Sequence, residues 1–109
     1  MASNILYAAL FWTQTPTEAY RREIEAEARR AAKGADPLGA AEAEEATHRE
    51  AWVQAKWEFE RVYEVYAVSK EEEDRLAAGH AQLALESAGR YLRAAMIARE
   101  FISVALLTA

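Results

Sequence analysis

Few residues in this chain have both the type and the spacing that chemistry requires. Glu45-Ala46-Thr47-His48 is one such set. Residues three apart on a helix share a face, so a carboxylate and an imidazole there form a candidate metal site. His80 is the other centre. With Trp57, Trp12, Trp52 and Phe59 it forms a candidate binding site for a small apolar or aromatic molecule, with a porphyrin on an imidazole as one version.

Each set also has a plain structural reading, which the sequence favours. Glu45 and His48 can be a partly buried pair answered by Arg21, Arg22 or Arg93, because interior charges are normally paired. Glu-x-x-His is the spacing used by di-iron carboxylate bundles, but those need the motif twice, and the residue three before His80 is Ala77. His80 can equally be a core histidine bonded to Thr13, Gln14 or a tyrosine hydroxyl. In a folded hairpin the two histidines fall roughly 13 Å apart along the helix axis, too far to hold one iron within a subunit. Arg75 and His80 share the Arg-x4-His spacing of HEPN ribonucleases; on one helix they point roughly 140° apart, and no further residues extend the likeness.

Composition removes several other classes. The chain has no cysteine, so thiolate ligands and nucleophiles are absent. Its four glycines are scattered and make no phosphate loop, and nothing resembles a nucleophile–base–acid set. We therefore expect no catalytic residue, no cofactor and no enzyme. A net charge of -5 argues against a nucleic-acid surface. The apolar runs Ile5–Trp12 and Phe101–Leu107 fall well short of the ~20 residues that span a membrane. No basic stretch precedes the first run, so a cytoplasmic protein without membrane contact is expected.

The elements that position these residues are all helical. The pattern predicts an all-α, antiparallel three-layer bundle in one domain, 1–109, with helices over about 4–14, 16–33, 37–68 and 70–107. Ser3 is the expected cap of the first. Thr15-Pro16-Thr17-Glu18 reads as N-cap, first-turn proline and capping box of the second, breaking the first layer either at a kink, with the two pieces laid end to end, or at a full turn. Gly34 is placed at the left-handed C′ position. Asp36-Pro37 starts the third helix, and Ser69 with Glu72 the fourth.

Leu38, Ala41, Glu45, His48, Trp52, Ala55, Phe59, Val62 and Tyr66 form one heptad seam on the third helix. The fourth helix is apolar or small around most of its circumference. One row runs Ala77, Ala81, Ala84, Ala88, Tyr91, Ala95, Ala98, Ile102 and Ala105, and a second Leu76, Leu83, Ala94, Phe101, Val104. Arg99 sits among apolar neighbours and needs a glutamate partner or an interface. Folding the helices at their turns sets Trp57 level with both His80 and Thr13. The aromatic residues Tyr7, Phe11, Trp12, Trp52, Trp57, Phe59, Tyr63 and Tyr66 are then expected at one end.

The chain resembles computationally designed helical bundles. That resemblance rests on cap signals at nearly every helix start, the Gly34-Ala35-Asp36-Pro37 loop, and Ala/Glu/Arg-filled faces such as 23–32 and 40–46. It is one of style and carries no family motif. The greasy ends and polar seam residues depart from it and point to a purpose beyond folding. Phe101, Ile102, Val104, Leu106 and Leu107 are the candidate interface, since an exposed run of this kind invites burial. The leading expectation is a non-enzymatic scaffold or binding protein that contacts a copy of itself or a protein partner. The alternative is a small-molecule or porphyrin binder near His80, Trp57 and Trp12.

Overall fold

The computed structural model describes residues 4–108 and is an all-α bundle of four helices: α1 (Asn4–Gln14), α2 (Glu18–Ala31), α3 (Pro37–Ser69) and α4 (Glu72–Leu107). The expected Ser3 cap lies outside the described residues. α3 starts as its sequence dictates, with Asp36 as N-cap accepting a 3.2 Å bond from the Gly39 amide and Pro37 at the first helical position.

Three ends differ from expectation, each for a local reason. The N-cap of α2 is Thr17, not Thr15: its hydroxyl accepts from the Tyr20 amide, while the Thr15 amide still donates to Phe11 O and ties Thr15 to α1. Gly34 is not left-handed. α2 instead tightens, with Lys33 and Gly34 donating to the carbonyls of Arg30 and Ala31. The left-handed residue is Lys70, φ 59°, which ends α3. Ser69 therefore belongs to α3 rather than capping α4 from outside. Its hydroxyl accepts from the Glu71 amide and donates to the Asp74 carboxylate, which ties the tight turn together.

The break between α1 and α2 is a full turn, and the two helices lie side by side instead of end to end. Phe11 stacks on Tyr20 beside the turn at 6.0 Å, while Ile5 and Ala31 border one cleft at the opposite ends. Both helices pack on α4. Ile5, Leu6, Ala8, Ala9, Ile24 and Ala28 form one core with Ala41 of α3 and Ala94, Ala95, Ala98 and Ile102 of α4. The small residues on α4 let the short helices approach closely.

α3 and α4 form the long axis of a molecule measuring 57 × 27 × 20 Å. Every residue of the expected α3 seam is buried or half-buried. It meets a matching heptad row on α4: Asp74, Ala78, Ala81, Leu85, Ala88, Leu92, Ala95, Arg99 and Ile102, all likewise buried or half-buried. His48 over Tyr91 and Trp52 beside Gly89 fix the register. The expected α4 row was rotated by one position in its first half, where Ala77 and Ala84 are exposed. A helix with alanine on nearly every face has no single period to read.

Candidate functional site

α1 and α2 cover only the C-terminal half of α4. α1 runs antiparallel to it, with Ile5 near Ala98 and Ile102, and with Phe11 and Gln14 sharing a cleft with Ser87 and Arg90. Beyond Trp52 and Ser87 the α3–α4 hairpin projects by roughly 26 Å, from the helical rise over Trp52–Ser69. A two-helix hairpin buries one seam and leaves its outer faces in solvent. Here those faces carry Trp57 (62% exposed), Tyr63, Val65, Val68, Leu76 and Leu83 (64% exposed).

The predicted ligand cluster is not assembled. Trp12 packs against the core of α1, α2 and α4. Trp57 and His80 are exposed on the projecting hairpin, and none of the three main clefts is lined by either. The cause is the turn at Thr15–Thr17: α1 folds back along the C-terminal half of α4 and never reaches the level of Trp57. The expected aromatic end therefore separates into two groups. Phe59, Tyr63 and Tyr66 form a ladder near the tip with ring centroids 5.7 and 6.5 Å apart, and Phe11 stacks on Tyr20 elsewhere. Trp52 and Phe59 are half-buried members of the α3 seam, with Lys56 Nζ 5.5 Å from the Trp52 ring centre.

Glu45 and His48 lie on the seam but face different partners. Arg99 Nε donates to Glu45 Oε1 at 3.0 Å across the helix pair, and Arg49 lies 3.9 Å from the other carboxylate oxygen. Arg99 and Arg49 thus take the place expected for Arg21, Arg22 or Arg93. The His48 ring stacks on Tyr91 at 5.5 Å. Among the described residues no group of three or more histidine, aspartate or glutamate side chains is gathered to hold a metal ion. Arg75 of the Arg-x4-His pair is bonded to Glu72, and His80 is exposed.

The candidate interface at the end of α4 divides. Ile102 is core and Phe101 packs against it, whereas Val104 and Leu107 are open, 57% and 86% exposed, and Leu106 is partly so. Phe101 and Val104 also line a cleft of about 380 Å³ with Ala28, Ala105, Arg21 and Arg29. The more extensive apolar surface is the projecting hairpin. Leu76 and Leu83 were visible in the sequence as one row with Ala94, Phe101 and Val104. The sequence did not reveal that only Ala94 and Phe101 of that row are covered.

No family model matches the chain, and no curated protein or solved structure matches it. Among the described residues, no helix is long and apolar enough to cross a membrane.

Proposed function

We propose that the protein is a non-enzymatic helical scaffold or binding protein that works through an apolar helical surface, contacting a copy of itself or a protein partner. The observation that carries this reading is the projecting hairpin, which holds Leu76 and Leu83 in solvent beyond the reach of α1 and α2. Apolar side chains grouped on one elongated projection are what a helical partner covers. The open residues at the end of α4, Val104 and Leu107, add a smaller patch of the same kind.

The test replaces Leu76 and Leu83 together by glutamate. Both are exposed, so the helix persists and circular dichroism stays unchanged. Association should be lost, whether followed as solution mass by light scattering above the 12.2 kDa of one chain or as proteins co-purifying with the chain. Unchanged association by both measures would overturn the reading.

A further inference from the structure

On the side of α4 away from α3, a second stripe recurs at heptad spacing: Glu73, Leu76, His80, Leu83, Ser87 and Arg90. It continues through Ala94, Ile97 and Phe101, where α1 and α2 cover it. Up to His80 and Leu83 the stripe is exposed, and Ser87 is half-buried at the edge of the α1 cleft. The chain itself shows what such a stripe accepts, since α1 lies on its continuation as an antiparallel helix.

Charges at the two ends of the open part are complementary and unused. Among the described residues, neither Glu73 nor Arg90 makes an ion pair or side-chain hydrogen bond within the chain, whereas Glu72 and Arg75 next to Glu73 satisfy each other. In an antiparallel helix pair, alternate positions of the stripe meet in layers, the first position of one heptad facing the fourth of the other. Applied to two copies of α4, that rule sets Glu73 against the second copy's Arg90, Leu76 against its Ser87, and His80 against its Leu83. The two-fold repeats every layer, so the charges pair at both ends. A parallel arrangement would set Glu73 on Glu73 and Arg90 on Arg90.

We propose that a second copy of this chain covers the open stripe, with the two α4 helices antiparallel in the register that joins Glu73 of each copy to Arg90 of the other. The proposal rests on the surface reading above and names its partner. The contact spans Glu73–Arg90, roughly 26 Å of helix. A contact of this length belongs with the small interfaces that form weak, transient associations. Association is therefore expected at about 10–100 µM.

The experiment is sedimentation equilibrium on the wild type, on Glu73→Arg, on Arg90→Glu, and on an equimolar mixture of the two variants. Each variant alone sets like charges against each other at both ends and should associate about tenfold more weakly than wild type. In the mixture, arginines at 73 and 90 of one copy meet glutamates at 90 and 73 of the other, so association should return to at least the wild-type level. The double variant, which restores both pairs within one sequence, should associate as wild type does. Both positions are exposed, and unchanged circular dichroism confirms folding.

A wild type that remains monomeric to about 1 mM overturns the second-copy proposal. So does a mixture no stronger than the separate variants. In either case the surface reading survives if glutamate at Leu76 and Leu83 still abolishes contact with a protein partner or with another face of the chain. If that pair of substitutions changes nothing, the surface reading fails and this proposal falls with it.

Discussion

Alanine at Gly79 tests whether the outer face of the hairpin is as open as it stands. Gly79 lies inside the 36-residue α4, and its φ is not positive, so an L side chain adopts the same backbone without strain. A Cβ built there meets nothing within 4 Å. The substitution therefore gains helix propensity and loses no contact. Glycine costs roughly 0.8–1 kcal/mol relative to alanine in a helix interior, so a gain of about 0.5–1 kcal/mol is expected. For a domain of this size that corresponds to a rise in Tm of roughly 3–6 °C.

Gly39 supplies the control. A Cβ there would clash with the Asp36 carboxylate that caps α3. Alanine must push that side chain aside, and losing a cap of this kind costs about 1 kcal/mol, which offsets the propensity gain. Gly39→Ala is thus expected near zero in the wild type. In an Asp36→Ala background, where no cap remains to displace, it should stabilise by about 0.5–1 kcal/mol. Urea unfolding with an unchanged m-value reads the wild type and the four variants. A destabilising Gly79→Ala, or equal gains at Gly79 and Gly39 in the wild type, would refute the reasoning.

Other consequences follow from single side chains. Arg99→Ala leaves the Glu45 carboxylate, 16% exposed, with only Arg49 at 3.9 Å; a loss of about 1–2 kcal/mol is expected. The Arg99→Ala/Glu45→Ala pair should cost less than the sum of the single changes, as a urea-based double-mutant cycle will show. Lys70→Gly removes the left-handed strain at the hairpin tip and should stabilise by about 0.5–1 kcal/mol in the same assay, because glycine is at home at φ 59°. A hydrogen bond from Arg61 holds the Glu58 carboxyl below its ordinary value, and one from Arg75 does the same for Glu72. A carboxyl depressed by folding stabilises the helix above its unfolded pKa and loses that contribution as pH falls through its folded one. In an NMR titration Glu58 should ionise below the ordinary glutamate range, and Arg61→Ala should return it there.

The readable part of the fold is the part governed by local chemistry. Asp36-Pro37 starts α3 because cap and proline act within one turn, and the seam from Leu38 to Tyr66 is correct because its large residues recur at one period. The start of α1 at Asn4 also stands, whereas the starts of α2 and α4 failed where two local options compete. Thr15 and Thr17 can both cap, and the attachment of Thr15 to the end of α1 decides between them. The direction of α1 could not be read at all. Its eleven residues are apolar around much of their surface, and nothing in Thr15-Pro16-Thr17 distinguishes a bend from a reversal. That one ambiguity misplaced Trp12 beside Trp57 and His80 and created a ligand cluster the folded chain does not form. Arg99, recognised as needing a glutamate, found it in Glu45, one layer from His48; a seam carrying an acid and a partner helix carrying a base announce each other.

The projecting hairpin also raises the question of how two helices stand without a third. Its seam sets large side chains on α3, Phe59, Val62 and Tyr66, against small ones on α4, Ala78 and Ala81, so the backbones can approach while each large side chain stays only half-buried. Partial burial of this kind recovers a fraction of the 1.5–3 kcal/mol that a fully buried large side chain contributes. Within each helix the exposed Glu58–Arg61 and Glu72–Arg75 pairs and the Phe59–Tyr63–Tyr66 ladder add small increments that do not make up the difference. The hairpin is therefore expected to be the less protected half in hydrogen exchange, with slow amides concentrated from Leu92 to Ile102. A partner covering Leu76 and Leu83 would add the missing layer where the chain is thinnest. Binding should then slow exchange first around Gly79, well before it changes the core near Ala94 and Ala95.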